Sequence, residues 1–336
     1  MTILADILSS TVLFAIPLLL VALGGMFSER SGVINLALEG IMIMGALFSC
    51  MVLNFMNKVD GMDSIDSFGA QNPILAMFIA ILVAAAVGMI YALLLAFAAI
   101  NLKADQTIGG TALNMLAPGL AVVITWAVQG QGQTTILIPT WVRITQENFG
   151  GEASIDGFFN TVVFKSFYLT TPIAFLLLAA SFVILYKTKF GLRLRACGEH
   201  PQAADSVGIN VYKMRYAGVM ISGALGGIGG LAFTIAAGSG FSSSVAGYGF
   251  LALAVMIFGN WKPLNIFGAS LFFALFKVIG SYASSISFLP KFEGVVNSGY
   301  IYNMLPYIVT MIILILTSKN SAAPKAEGIP YDKGQR

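Results

Sequence analysis

The sequence predicts an all-α polytopic membrane protein of about nine helices (eight to ten), and three features carry that prediction. Of its 336 residues, 57% are hydrophobic and only 10% are charged, where soluble domains run near a quarter charged. The mean hydropathy is +0.86. The apolar residues fall in runs at 11–27, 33–54, 73–100, 107–128, 168–186, 214–236, 248–258, 263–283 and 301–317. The longer runs can cross a hydrocarbon core about 30 Å thick as helices, the form that satisfies its own backbone N–H and C=O groups where there is no water.

Lysine and arginine supply the orientation, because they concentrate on the cytoplasmic side. With nine crossings and the polar island 187–215 inside, thirteen basic residues lie inside: Arg30, Lys103, Lys187, Lys189, Arg193, Arg195, Lys213, Arg215, Lys262, Lys319, Lys325, Lys333 and Arg336. Four lie outside, Lys58, Arg143, Lys165 and Lys291, together with the acidic stretch "DGMDSIDSF" (Asp60–Phe68). The N-terminus is then outside and the C-terminus inside.

Taken in order, residues 1–10 lack a basic n-region and a small-residue cleavage site, so the first apolar run is expected to be retained. The second run carries Asn35 and Glu39, four apart and so expected on one helix face. A carboxylate facing lipid there would cost about 2.5–3.5 kcal/mol. The pair is therefore read as a translocation-path element or as a brace for the bent entry "SERSGVIN". In "QTIGGTALNMLAPG" (Gln106–Gly119), Thr107, Thr111 and Asn114 share a face. They either line a path or hydrogen-bond between helices, and Pro118 is expected to kink the helix. Residues 129–168 are polar and glycine-dotted, with a short surface helix expected.

The run 214–236 contains "GALGGIGG" (Gly223–Gly230), whose glycines four apart let two helix backbones approach closely. The string "GIGGLA" inside it has no strand before it and is not read as a dinucleotide fingerprint. The short run 248–258 follows "GSGFSSSVAGYG" (Gly238–Gly249). It reads as a half-helix or broken helix, which a membrane tolerates only where the backbone faces protein or a cavity. Lys277 sits deep in 263–283, where it pairs across the bundle or lines a wet cavity. Residues 1–318 form one membrane domain, and the tail 319–336 is expected to be disordered.

Catalytic chemistry is not expected. The single histidine, His200, has no partner set for a metal, Cys50 and Cys197 lie in unrelated contexts, and no Gly-Lys dipeptide exists to build a phosphate loop. The segment 187–213 stands out instead. It is longer than a connector needs to be, and "EHPQAADSV" (Glu199–Val207) reads as a short helix started by Pro201 and ended by Gly208. Such a helix, flanked by Arg193, Arg195 and Lys213, looks built to dock into a partner.

The run "FGLRLRACGEHPQAADSVGINV" resembles the cytoplasmic coupling segment of ABC-importer permeases of the branched-chain amino acid, ribose and nucleoside type. The matching positions are Gly191, Arg195, Ala196, Gly198, Pro201, Ala203, Ala204, Gly208 and Ile209. "ERSGVINLALEGIMIMGAL" (Glu29–Leu47) is similar to that family's first conserved segment. "MLPYIVTMIILIL" (Met304–Leu316) is similar to the final span of its nucleoside and simple-sugar branch.

The resemblance implies a permease subunit of a bacterial cell membrane importer, most like the shorter permease of a nucleoside pair. It implies a second permease, a cytoplasmic ATP-binding subunit and an extracytoplasmic substrate-binding lipoprotein as partners, with no nucleic acid. This chain would hold no cofactor, and ATP and Mg would belong to the ATPase. The coupling residues would be Arg195, Gly198, Glu199, His200, Pro201, Ala203, Ala204, Asp205 and Gly208, with Ala203 and Ala204 seated in an ATPase groove and Glu199 and Asp205 meeting basic residues there. The path would draw on Asn35, Glu39, Thr107, Thr111, Asn114 and Lys277. Alternatives are a simple-sugar or branched-chain amino acid permease, an ion-coupled secondary transporter, and a scaffold that transports nothing. The secondary transporter would want more titratable groups within the membrane than Glu39 and Lys277 supply.

Overall fold

A computed structural model describes residues 2–59, 62–63, 66–143, 168–282, 302, 304–317 and 323–334. These residues are helical apart from loops, one two-residue antiparallel pairing of Lys58–Val59 with Met62–Asp63, and an isolated bridge between Ile136 and Phe241. Twelve helices are numbered here in chain order. They are α1 (Thr2–Arg30), α2 (Leu38–Met56), α3 (Phe68–Gln71), α4 (Pro73–Ala96, continued by a π turn Phe97–Asn101), α5 (Gln106–Gln129) and α6 (Thr170–Lys187). The second half holds α7 (Lys189–Glu199), α8 (Pro201–Ser206), α9 (Val211–Ala237), α10 (Tyr248–Phe258), α11 (Pro263–Tyr282) and α12 (Leu305–Thr317).

Among the described residues, seven of these helices (α1, α2, α4, α5, α6, α9 and α11) are long and apolar enough to cross a membrane. The other two expected spans correspond to α10, of 11 residues, and α12, of 13. At 1.5 Å per residue α10 reaches about 16 Å, half of a hydrocarbon core. The expected half-helix is therefore present, preceded by irregular backbone at 238–247.

The centre of the bundle is α9, packed on α1, α2 and α4. The glycines of "GALGGIGG" explain why it sits there. A Cβ on Gly227 would collide with the Ala84 carbonyl oxygen of α4, and one on Gly230 with the Met42 carbonyl oxygen of α2. Backbone thus meets backbone on two sides of one helix, the close approach that small residues permit in membranes. Gly227→Leu is expected to force α4 away from α9 and to remove most folded protein from detergent extracts. Overpacking costs about 1–3 kcal/mol even where side chains can yield, and here the obstacle is main chain. The amount of monodisperse protein after extraction checks this.

The two ends of the bundle sort the loops as the charge rule does. At one end Arg30 pairs with Glu199 at 3.9 Å and Lys103 with Asp332 at 2.8 Å, and the Trp261 indole donates to Glu29. At the other, the Trp141 indole donates to Asn57 Oδ1 at 2.8 Å, and Ile136 and Phe241 exchange backbone bonds of 2.8 and 2.9 Å. Loops assigned to one side by their lysines and arginines touch each other, and the first set is called the basic end below.

Three expectations change. The second span does not start at 33, because residues 33–37 are non-helical and α2 begins at Leu38. Asn35 and Glu39 are therefore not on one helix face. The polar segment holds two helices rather than one, because α7 precedes the break at His200 (φ −143°, ψ 84°). The tail is not disordered over 323–334: it packs on the basic end, with Ala326 and Tyr331 buried. Of the segment 129–168, in which a short surface helix is expected, residues 129–143 hold a 3-10 turn, Thr140–Val142, and 144–167 lies outside the described residues.

Candidate functional site

The start of α2, which follows the non-helical residues 33–37, and the start of α10, which follows 238–247, meet inside the bundle, and polar residues singled out in the sequence brace both. Gly32 turns the chain with φ +94°, a conformation that excludes most side chains. Residues 33–37 then run beside α5, where Ile34 N–H donates to Gln106 Oε1 at 2.7 Å. Eight residues further along α5, Asn114 accepts from Gly40 N–H at 2.8 Å and donates to the Leu36 carbonyl at 2.6 Å. Asn35 accepts from Ala37 N–H at 3.1 Å and donates to Ser222 Oγ of α9 at 2.8 Å.

Glu39 serves the second stretch. Its two carboxylate oxygens accept from Gly247 N–H at 2.9 Å and Gly249 N–H at 2.7 Å, at the start of α10. This is a helix cap supplied by another helix, with a negative group placed where four backbone donors have no partner of their own. Asn35, Glu39 and Asn114 thus spend their hydrogen bonds on backbone and on Ser222. Next to Glu39 lies a residue the sequence reading passed over. Tyr248 is buried, its ring centroid is 4.4 Å from that of Phe233 and 6.5 Å from that of Phe14, and its hydroxyl has no hydrogen-bond partner among the described residues. The glycines on both sides of it masked the signal, since "AGYGF" reads as a turn.

The second candidate surface is at the basic end. Thr188 caps α7 through Gly191 N–H, and Pro201 opens α8 at its first turn, after which Gly208 (φ +84°) turns the chain away. One side of this pair faces inward: Cys197, Ala204, Val211 and Tyr331 form a small core of their own. Burial pushes the Cys197 thiol up to about 11, so it is an inert packing group. Gly198 lies so close to the Arg30 carbonyl that a Cβ would not fit.

The other side is open. His200, Gln202, Ala203 and Ser206 are exposed, framed by Leu192 (62% exposed) and Val207 (75%). The two alanines therefore differ: Ala203 faces out, while Ala204, expected beside it in an ATPase groove, faces in. The charges expected to meet a partner are engaged within the chain, Glu199 with Arg30 at 3.9 Å and Asp205 with Lys333 at 4.0 Å. Arg195 lies 5.1 Å over the Tyr186 ring.

The sequence matches the family described as branched-chain amino acid transport system / permease component over residues 7–317. The chain belongs to that family. With seven long apolar helices among its described residues, the permease is a multi-pass membrane protein. It is 42% identical to the guanosine ABC transporter permease protein NupQ of Bacillus subtilis (strain 168), over 99% of this chain and 98% of that one. It is 38% identical to the nucleoside ABC transporter permease protein NupC of Lactococcus lactis subsp. cremoris (strain MG1363), over 98% and 97%. The nucleoside ABC transporter permease protein NupB of the same strain is 26% identical over 49% of this chain and 44% of its own length. No solved structure matches the permease.

Thr107 and Thr111 remain free of the bracing that engages Asn114. Both are exposed on α5, of which only Gln106, Gly110, Ala117, Ala121 and Thr125 are buried. The same open side carries Met115 (77% exposed) and Gly119, where an added Cβ would meet open space. Lys277 lies half-buried on α11, where its carbonyl accepts from Ser281 Oγ; its ammonium has no hydrogen-bond or ion-pair partner among the described residues, and it is brought to none of these groups.

Proposed function

We propose that this permease is the membrane-spanning subunit of an ATP-driven importer of nucleosides in a bacterial cell membrane. The observation that carries the reading is likeness over nearly the whole chain to two permeases named for guanosine and for nucleosides. The basic end faces the cytoplasm, and α7–α8 is the coupling segment, presenting Leu192, His200, Gln202, Ala203 and Val207 to an ATPase subunit. ATP and Mg belong to that subunit. ATP binding there moves α7–α8, and with it the ends of α1 and α9 on which it is packed.

The open side of α5 meets a second permease, so that Thr107 and Thr111 offer hydroxyls to a sugar or base along the seam. A different chain is favoured as that second permease, because NupB and NupC are separate proteins of one strain and this chain covers NupC far more fully than NupB. A substrate-binding lipoprotein delivers ligand at the opposite end. Arg195, Gly198, Glu199, Pro201, Ala204, Asp205 and Gly208 serve the coupling segment by shaping it, and Asn35, Glu39 and Asn114 serve the path by bracing the helix breaks beside it.

Purified from its own membrane in mild detergent, the chain is expected to bring with it an ATP-hydrolysing subunit and a second, different permease. Val207→Asp, which puts a charge on the open face away from the small core, is expected to lose the ATPase and keep the second permease. Recovery of the chain alone after gentle crosslinking contradicts the reading.

A further inference from the structure

The tail that composition assigns to disorder is tied by long-range bonds to the basic end, around the polar segment. Ala326 N–H donates to the Gly198 carbonyl at the end of α7 at 2.8 Å. Lys333 pairs with Asp205 of α8 at 4.0 Å, and the Tyr331 ring lies 5.3 Å from that of Tyr212 on α9. The Ile329 carbonyl accepts from Arg215 Nη1 at 3.0 Å, and Arg215 is itself only 1% exposed. Asp332 accepts from Lys103 at 2.8 Å, across the turn between α4 and α5. Glu327 lies beside Glu29 at the end of α1, and burial pushes its carboxyl above the usual carboxylate range. Twelve residues thus bridge α1, the α4–α5 turn, α7, α8 and α9.

α8 needs such a bridge. It has six residues, far below the length at which a helix holds itself in water. Its inward side chain, Ala204, is buried in the small core that Tyr331 completes. A lever transmits a displacement only if it does not deform first. The face presented to a partner, around Ala203 and Val207, is backed by this small core and not by the main one.

We propose that residues 323–334 are a strap that positions the coupling segment, closing its small core with Tyr331 and fastening α7 and α8 to the ends of α1, α9 and the α4–α5 turn, so that motion of an ATPase reaches the transmembrane helices. The inference rests on the reading of α7–α8 as the coupling segment. The strap touches neither ATP nor substrate, and its effect is on the ratio of transport to hydrolysis.

The test uses the whole complex of both permeases, ATPase and binding lipoprotein in liposomes, with guanosine as probe, and reads guanosine moved per ATP hydrolysed. Tyr331→Ala is expected to lower that ratio about fivefold or more, the lower end of ordinary site-to-site coupling, while the complex stays assembled and hydrolyses ATP. Tyr331→Phe keeps the ring and is expected to restore the ratio. Asp332→Ala, which releases Lys103 without touching the small core, is expected to fall between the two. If Tyr331→Ala prevents assembly, the Asp332→Ala ratio decides, and a normal value there overturns the inference. A normal ratio in Tyr331→Ala also overturns it. Ala203→Trp in the same assay separates the layers: if it uncouples and the tail variants do not, only the strap fails. If Ala203→Trp is itself normal, the coupling reading beneath the strap fails.

Discussion

Glu39→Ala is expected to cost the permease its folded state before it costs transport. The carboxylate holds Gly247 N–H and Gly249 N–H at the start of α10. It is 8% exposed, near the start of the apolar span Leu38–Met56. Each buried donor left without a partner costs about 1–3 kcal/mol in proteins generally and more in hydrocarbon. Two such losses, about 2–6 kcal/mol together, reach the lower end of the stability of a typical domain, about 5–15 kcal/mol. Glu39→Gln keeps one acceptor oxygen and turns an NH2 group toward the other N–H, so it is expected to fall between wild type and alanine. Thermal aggregation in detergent, followed by the fraction remaining monodisperse, reads the series directly. If Glu39→Ala is as heat-resistant as wild type and only uptake is lost, Glu39 belongs to the translocation path and not to the brace.

The second large effect separates adjacent residues. Ala203→Trp places an indole on the open face of α8 and is expected to leave the fold intact while transport per ATP falls about tenfold or more, since a misfitted contact of about 1.4 kcal/mol is already a factor of ten. Ala204→Trp drives the same indole into Cys197, Val211 and Tyr331 and is expected to disrupt the segment itself, because that core has no space for it. The two are told apart by limited proteolysis near His200: Ala203→Trp is cleaved as slowly as wild type, Ala204→Trp faster. Equal behaviour of the two variants contradicts the inward and outward assignment of α8.

The spans were legible because hydropathy reports on the solvent, and lipid leaves little choice of structure. The grouping of the loops into two ends was legible for a related reason, since Arg30, Lys103 and Lys262 sit at helix ends that one side of the bundle brings together. The glycines of α9 announced close approach but not its target, because Ala84 and Met42 are far away in the chain. The breaks were harder. Hydropathy runs unbroken from 33 to 54, and only tertiary bonds to Gln106, Asn114 and Ser222 show that 33–37 is not helical.

Glu39 had a visible charge but an invisible partner: Gly249 lies 210 residues on. At α7 the arginines hid a helix whose buried side is small, Gly191, Leu194, Cys197 and Gly198. The tail misled in the opposite sense. Its proline, lysine and glycine content is that of a disordered segment, yet one aromatic ring, two ion pairs and a few backbone bonds are enough when a prepared surface receives them. Composition counts what a segment can bury by itself, and this one borrows its core from α7, α8 and α9.

The most direct measurement is guanosine uptake into liposomes holding the permease with its copurified partners, with ATP supplied on the side of the ATPase. The account predicts saturable uptake that requires ATP hydrolysis, is competed by other nucleosides and is untouched by collapsing ion gradients. Uptake that proceeds without ATP on an ion gradient, or that follows glucose or leucine and ignores nucleosides, would contradict it.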